Sequence, residues 1–307
     1  MRTPGPRSRA TPYALAGAAL LAAFIAVYVI AVLMEPGQRV ENTALLGAAI
    51  RSEAERGQSA DALSPVSLAT FGFAVLLVTA VGFARRRPGL GLLAGAVMVI
   101  AVIAAELLKD VLPRPAHVEG PVWLLRNSFP SGTVAVVAAM AVGAMLVSPD
   151  RLRWSVLGIG AAALAIAAQS TQIAGWHRLS DAVGSGLLVA AVGAFGVAVL
   201  AAVDMVATST VGRITSRVYV AILLVSGLLL AVGTLLMVFL VVFPLLASPE
   251  GGRRVFFQTA FPLLAAALTP LALVLFARLI EGRSLGRRPV AQPGQEIVEA
   301  DVSQGRS

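Results

Sequence analysis

The chain has 307 residues, of which 58% are hydrophobic and 13% are charged, and its formal net charge is +8. Soluble globular proteins contain roughly 25% charged residues, so this composition excludes that class and favours a protein embedded in lipid. Cysteine is absent, which excludes disulfide bonds, thiolate chemistry and cysteine-ligated metal sites. The arginines lie in short loops between apolar segments instead of on one basic face, so no nucleic-acid partner is expected.

Apolar segments long enough to cross a membrane recur along the chain. A crossing takes about 20 apolar residues at 1.5 Å each. The first segment follows three arginines, is longer than the apolar core of a signal peptide and has no evident cleavage site, so we predict a membrane helix there. The predicted spans are 13–34, 65–84, 89–108, 133–148, 154–175, 182–203, 218–247 and 257–280. The expected fold class is therefore all-α, a polytopic membrane helix bundle with about eight transmembrane helices.

The placement of basic residues predicts the orientation of these spans. An even number of spans puts both termini on one side, and the loops on that side carry 15 basic residues against nine on the other. Cytoplasmic loops retain Lys and Arg. We therefore predict a multi-pass protein of the cytoplasmic (cell) membrane with both termini cytoplasmic.

Two polar segments lie outside the predicted spans. The outer loop 35–64 is expected to fold as a short surface helix over the bundle and to hold no catalytic residue, although it carries five acidic residues: Glu35, Glu41, Glu53, Glu55 and Asp61. The segment 281–307 is rich in Gly, Arg, Gln and Pro and cannot bury a core, so it is expected to be a disordered cytoplasmic tail.

Three polar clusters interrupt the apolar sequence, at 109–117, 126–132 and 177–181. The first two share the loop after the third span, and the last follows the fifth span. An even number of crossings separates them, so all three are predicted to lie on the outward face.

The first two clusters contain groups that bind anions. Lys109 ends a helix and Arg114 follows in a proline-stiffened turn, so the two cations can hold a phosphate group, or they can merely snorkel to the interface. Lys109 is the sole lysine of the chain, which favours a function. The segment 127–132 precedes the fourth span, so its free N–H groups suit an anion, although Ser131 and Gly132 can also be a simple cap and turn.

The third cluster contains a histidine and an aspartate four residues apart. This spacing lets the Asp181 carboxylate orient the His177 imidazole, which leaves one ring nitrogen free as a nucleophile or base. The alternative is that Trp176, His177 and Arg178 anchor a helix at the membrane interface and that Asp181 caps it.

In this order and on one face, the clusters resemble the type 2 phosphatidate phosphatase family (type 2 phosphatidic acid phosphatases or lipid phosphate phosphatases, related to the vanadium haloperoxidases). The resemblance covers roughly 65–205, where the family has a six-helix core. The family motifs are Lys, six residues and Arg-Pro; Pro-Ser-Gly-His; and Ser-Arg, five residues, His, three residues and Asp. The residues that match them are Lys109, Pro130, Ser131, Gly132, Ser170, His177 and Asp181.

The chain departs from the family pattern at three positions. Arg114 follows Lys109 after four residues instead of six. Thr133 stands where the family has its general-acid histidine, and its hydroxyl is far too weak an acid to replace it. Thr171 stands at the position of a phosphate-binding arginine.

The resemblance implies a lipid phosphate phosphatase that acts at the outer leaflet on a polyprenyl (di)phosphate or phosphatidate-type lipid. His177 and Asp181 would be catalytic, with a phosphohistidine intermediate, while Lys109, Arg114, Ser131 and Gly132 would bind the phosphate. No metal and no cofactor are implied. Possible substitutes for the replaced residues are His117, Thr133, Arg126 and Arg178.

The implied organisation is an N-terminal helix and outer loop (1–64), a phosphatase-like core (65–205), two additional transmembrane helices (206–280) and the tail (281–307). Two other functions stay open. One is a catalytically impaired relative that binds lipid phosphate headgroups or supports a partner protein. The other is a transporter, in which Glu106, Gln169 and Gln172 would line a path.

Overall fold

The computed structural model describes residues 6–49, 51–209, 224–226, 228 and 250–287, and these residues are mostly helical. The helices are α1 (Pro6–Tyr28), continued by a π-helical turn (Val29–Leu33), α2 (Glu35–Ala48), α3 (Glu53–Asp61), α4 (Leu68–Ala84), α5 (Pro88–Val111), α6 (Val122–Leu125), α7 (Gly132–Val147), α8 (Arg153–Ile173), α9 (Leu179–Ala202), α10 (Glu250–Leu268) and α11 (Leu271–Leu279). Two short strands, β1 (Val206–Thr208) and β2 (Arg283–Leu285), pair antiparallel.

Five helical segments in the described part of the chain are long and apolar enough to cross a membrane: Arg9–Leu33, Pro88–Val111, Arg153–Ile173, Leu179–Ala202 and Thr259–Leu279. The helices α4 and α7 are apolar but shorter, with 17 and 16 residues. This architecture fits a multi-pass membrane protein built as a helical bundle. Seven predicted spans coincide with these segments, whereas 218–247 lies outside the described residues apart from 224–226 and 228, so the count of eight stays a prediction.

Helix α9 lies at the centre of the bundle and packs against α1, α5, α7, α8, α10 and α11. Small residues make this contact close, as is usual between helices in membranes. A Cβ atom at Gly193 would lie 2.9 Å from both Phe276 and Val142, and one at Gly184 would lie 2.5 Å from the ring of Phe129. The glycines of α9 therefore allow the neighbouring helices, and the loop that carries Phe129, to pack closely against it.

The strands β1 and β2 form a small ribbon at the end of α9. Two buried arginines fasten it to the bundle, because Arg153 donates to the carbonyls of Ile280 (3.2 Å) and Arg283 (2.5 Å), and Arg87 donates to that of Leu285 (2.5 Å). The expected all-α fold class did not include this short two-stranded ribbon. The predicted disordered tail likewise begins too early, since residues 283–285 are held by backbone pairing and these arginines, while 288–307 lie outside the described residues.

The start of α1 lies at the same end of the bundle as the ribbon. Arg9 Nη1 makes a 3.0 Å ion pair with Asp204, which directly precedes β1. The loops that hold Arg87 and Arg153 meet there too. The basic loops assigned to one face by the sequence therefore do gather at one end, and α9 runs from that end to the polar clusters at the other.

A close contact between two glycines holds α4 against α5. A Cβ atom at Gly82 would lie 2.3 Å from Cα of Gly91, and backbone cannot move aside as a flexible side chain can. We expect Gly82→Ala to destabilise the protein by about 1 to 3 kcal/mol, although Ala is the better helix former. Thermal unfolding of the detergent-solubilised protein measures this.

The matched control is Gly72→Ala in the same helix, where nothing lies within 4 Å of the added Cβ. That variant should melt at or above the wild-type temperature, because Ala gains about 1 kcal/mol over Gly in a helix. Similar melting temperatures for the two variants would contradict the close approach of α4 and α5.

Candidate functional site

Polar side chains from four segments meet at the end of the bundle where α9 begins. The segments are α2, the stretch 113–117, the loop 126–132 and the turn that leads into α9. We call these side chains the polar network. Hydrogen bonds connect six of its members, Asn42, Arg114, Ser128, His177, Arg178 and Asp181, and join the other two, Glu41 and Ser180, to each other.

The network is built around the carboxylate of Asp181, which is 0% exposed. Its Oδ2 atom lies 3.2 Å from Nδ1 of His177 and accepts hydrogen bonds from Ser128 Oγ (2.7 Å) and the Arg178 amide (2.8 Å). The predicted contact of His177 with Asp181 is confirmed. His177 itself lies just before α9 instead of within it, so Asp181 orients the imidazole and also caps the helix.

The side chain of His177 is 13% exposed, and its ring is held through Nδ1. In the tautomer whose Nδ1 carries the proton and donates to Asp181, Nε2 keeps its lone pair. That nitrogen is the atom which can attack an electrophile. The geometry thus matches an oriented nucleophile or base, the arrangement that the spacing predicts.

The turn before α9 contains the contacts of Thr171, which stands where the family pattern has an arginine. The carbonyl of Thr171 accepts from the amides of Trp176 (2.9 Å) and His177 (3.2 Å), while its hydroxyl donates to Ala168 O (3.0 Å). Gly175 completes the turn with φ of +74°, a left-handed conformation that favours glycine. Thr171 is fully buried, so it positions His177 and does not reach a phosphate.

Arg178 ties the loop 126–132 and α2 to the start of α9. It is 3% exposed, and it donates to Asn42 Oδ1 (3.1 Å), Ser128 Oγ (2.8 Å) and Leu124 O (2.5 Å). These contacts make it a positioning residue. Arg126, the other possible substitute, is exposed and forms no part of the polar network in the described chain.

Arg114 reaches the network despite its shifted position in the sequence. It donates to Asn42 Oδ1 at 3.2 Å, so that one amide oxygen serves both Arg114 and Arg178. Burial, together with the charge of Arg178, lowers the pKa of Arg114 to about 10, although the charges of Asp181 and Glu41 act to raise it. The guanidinium is still a cation at neutral pH. Its buried Nη1 atom has no partner among the described residues.

The loop 126–132 is fixed from both sides. The Asn127 amide group donates to the carbonyls of Lys109 and Leu112, both at 3.0 Å, and so joins the loop to the end of α5. The ring of Phe129 is fully buried against Phe24, with ring centroids 5.0 Å apart. The first two clusters are thereby held next to each other, as their shared loop predicts.

Lys109 and Gly132 meet at the start of α7, but a carboxylate already lies there. Lys109 Nζ makes a 2.8 Å ion pair with Glu106, and a Cβ atom at Gly132 would lie only 1.7 Å from Glu106 Oε1. Ser131 is fully buried, accepts from the Val134 amide (3.3 Å) and donates its own amide to Asp181 O (3.1 Å). Ser131 thus caps α7, and the anion at this helix start is the chain's own Glu106.

The structure does not bring His117 into the polar network. Its Nε2 atom lies 2.9 Å from Leu33 O, at the end of the π-helical turn, and its side chain is exposed. Thr133 lies in the first turn of α7 and is partly buried.

Helix α2 supplies the residues that sequence reasoning missed. Gln38, Glu41 and Asn42 are buried, and both carboxylate oxygens of Glu41 accept from Ser180, from its amide and its hydroxyl, at 2.7 Å each. The expectation that 35–64 only covers the surface is wrong in this respect. The signal was available, because Gln38, Glu41, Asn42 and Leu45 recur at helical spacing and so share one face.

Burial, together with the negative charge of Asp181, raises the pKa of Glu41 to about 7, although the two hydrogen bonds from Ser180 and the charge of Arg178 act to lower it. An ordinary glutamate is ionised at neutral pH, since its pKa is about 4.3. Glu41 instead exchanges a proton near pH 7.

A narrow cleft, with room for about one water molecule, lies beside His177. Its polar lining is Glu41, Gln172, His177 and Arg178, and its apolar lining is Ala44, Leu45, Ala48, Leu179, Phe261 and Pro262. Gln172 is 6% exposed, and its Nε2 atom has no hydrogen-bond partner in the described part of the chain. The cleft therefore offers a free donor, a histidine and a carboxyl group in one place.

No protein-family model, no curated protein and no solved structure matches this chain. The case for a function rests on the residues and the geometry described above.

Because Asn42 Oδ1 accepts hydrogen bonds from both Arg114 and Arg178, its removal should lower the free energy of unfolding. We expect Asn42→Leu, which keeps the approximate shape, to destabilise the protein by at least about 1 to 3 kcal/mol, because two buried guanidinium groups lose an acceptor. Thermal unfolding of the solubilised protein gives the change.

The control is Thr43→Val on the adjacent, solvent-facing position of α2, where the hydroxyl donates only to Arg39 O within the same helix. Such surface changes usually stay within about 0.5 kcal/mol. If the two variants have the same melting temperature, Asn42 does not join the two arginines.

Proposed function

We propose that this protein is a membrane lipid phosphate phosphatase that resembles the type 2 phosphatidate phosphatases and hydrolyses a polyprenyl (di)phosphate or a phosphatidate-type lipid. The observation that carries the proposal is the pair of His177 and Asp181, which lie 3.2 Å apart in a buried polar network at one end of a bundle of apolar helices. An imidazole oriented by a carboxylate is the arrangement that nucleophilic catalysis requires.

In the proposed reaction, Nε2 of His177 attacks phosphorus and forms a phosphohistidine. Asp181 keeps the ring in place and stabilises the positive charge that develops on it. Because Asp181 also bonds Ser128 and the Arg178 amide, it cannot turn away from the histidine without breaking those bonds. The imidazole is thus pre-organised before substrate arrives.

The phosphate would lie between His177 and the start of α7. Lys109 and the amide of Gly132 face this region, and Arg114 contributes a cation from the adjoining side of the network. Lys109 must exchange Glu106 for the phosphate, and this costs little, since exposed ion pairs are worth at most about 1 kcal/mol. Ser131 acts by holding α7 to Asp181 through its amide.

The proposed location is the outer leaflet of the cytoplasmic membrane. The ribbon end of the bundle gathers Arg9, Arg87 and Arg153, which the distribution of basic residues assigns to the cytoplasm. The polar network lies at the other end of α9 and would then face outward. A lipid phosphate could reach it laterally while its tails stay in the bilayer.

One observation favours a second function, a relative that binds lipid phosphate headgroups without turnover. Glu106 occupies the start of α7, where a phosphate would otherwise meet Gly132 and Lys109. Thr133 and Thr171 replace two residues of the family's site as well. The transporter alternative has less support, because Glu106 and Gln172 both lie near one end of the bundle instead of along a path through it.

The chain has only two histidines, which permits a clean test. The purified full-length protein should release phosphate from a polyprenyl diphosphate and from phosphatidate, and vanadate should inhibit it. His177→Ala should reduce release to background, because the nucleophile is gone. His117→Ala should retain both release and an acid-labile phosphoenzyme that ³²P-labelled substrate traps.

Equal, background-level release by the wild type and His177→Ala would favour the lipid-binding function. Loss of release in His117→Ala with normal phosphoenzyme formation would instead assign His117 a role that its contact with Leu33 does not predict.

A further inference from the structure

A phosphatase that uses His177 still needs a group to protonate the leaving oxygen of an alkyl phosphate. General acids contribute roughly 10² to 10⁴ in rate. Thr133 cannot act as one, and His117 is held at Leu33 O, away from the polar network. Glu106 is paired with Lys109 and does not line the cleft that holds His177.

Glu41 is placed where such an acid is required. It lines the same cleft as His177, on the face formed by α2, and its carboxyl group is fixed by the amide and hydroxyl of Ser180. The residue is 5% exposed. A proton on Glu41 is therefore shielded from bulk water, in a residue that lines the same cleft as the histidine.

Burial, more than the surrounding charges, raises the pKa of Glu41 to about 7. The groups that face it are Asp181 and Arg178 at the start of α9, His177 in the preceding turn and Arg114 from the stretch 113–117. From α8 and α10, the cleft receives the uncharged residues Gln172, Phe261 and Pro262. With a pKa of about 7, Glu41 can both donate and recover a proton at neutral pH.

We propose that Glu41 is the general acid of this enzyme and takes the place of the histidine that Thr133 replaces. The inference rests on the proposed function. It also assigns the cleft between α2, α8, α9 and α10 as the path by which the Glu41 proton reaches the leaving oxygen of a phosphate that lies between His177 and the start of α7.

The chemical step balances with water as the only co-reactant. Nε2 of His177 forms a bond to phosphorus as the bond from phosphorus to the alkyl oxygen breaks, and that oxygen takes the proton of Glu41. Water then attacks the phosphohistidine and returns a proton to the Glu41 carboxylate. Phosphate leaves, and His177 is restored.

A neutral Glu41 removes the repulsion that a second carboxylate would exert on the phosphate dianion.

The test compares leaving groups in the first turnover, before water enters the reaction. With an alkyl phosphate such as phosphatidate, Glu41→Gln should slow phosphoenzyme formation by roughly 10² to 10⁴, because the alkoxide leaves without a proton. With p-nitrophenyl phosphate the burst of p-nitrophenol should change little, since this phenolate needs no proton to leave. A residue that only supports the fold would affect both substrates alike.

The matched control is Glu35→Gln, the same substitution in the same helix at an exposed residue that pairs with Arg39. This variant should behave as the wild type with both substrates.

The pH dependence supplies a second, independent measurement. Wild-type turnover of the alkyl phosphate should fall as the pH rises through about 7, because Glu41 loses its proton, and Glu41→Gln should lack this fall. Ser180→Ala removes a hydrogen bond that lowers the pKa of Glu41, so it should move the fall to higher pH. The substrate's own ionisation is common to all variants and cancels in the comparison.

Several outcomes would overturn the inference. If Glu41→Gln slows both substrates equally, or neither, while His177→Ala is inactive, Glu41 is not the acid and the phosphatase stands. If Glu41→Gln does not fold, an unchanged pH profile in Ser180→Ala overturns it. If the wild-type protein shows no turnover that depends on His177, both the proposed phosphatase function and the proposed role of Glu41 are wrong.

Discussion

The carboxylate of Asp181 is the group on which the arrangement at this end of the bundle depends. A buried carboxylate costs several kcal/mol unless hydrogen bonds or charges compensate it. Here the compensation reaches one oxygen, Oδ2, from His177, Ser128 and the Arg178 amide, whereas the buried Oδ1 has no hydrogen-bond partner among the described residues. The main-chain carbonyl of Asp181 adds a bond from the Ser131 amide. The start of α9, the turn before it and the loop before α7 are therefore fixed together.

A second set of hydrogen bonds connects the surroundings of Asp181 to α2, the helix that follows the first span. Asn42 accepts from two guanidinium groups, and Glu41 accepts from Ser180, one residue before Asp181. Hydrogen bonds in such a buried network are stronger than in water, because the local dielectric constant is low. The N-terminal region is thus a structural part of the site, although the family resemblance begins only at about residue 65.

The sequence predicts what is local and misses what depends on tertiary contact. The pair of His177 and Asp181 follows from a spacing of four residues, and Lys109 and Gly132 lie at the two ends of the single connection, residues 112–131, that joins their helices. The contribution of Glu41 could not be derived that way, since α2 reaches Ser180 over 139 positions of sequence. The pairing of residues 283–285 with β1 is equally non-local. The family role, the number of spans and the orientation in the membrane stay predictions.

Two of the three departures from the family pattern, Thr171 and Thr133, lie close to groups of the polar network. The main-chain carbonyl of Thr171 holds the turn that presents His177, and its buried hydroxyl donates to Ala168 O instead of reaching a ligand. Arg178 and Arg114 bring positive charge to the same region from other segments, and that charge stabilises Asp181. With Thr133 unable to carry a proton, the remaining carboxyl group beside His177 is Glu41, whose burial is what lets it hold one. In the proposed mechanism the acid would come from α2 instead of the start of α7, while the oriented histidine would keep the position that the resemblance gives it.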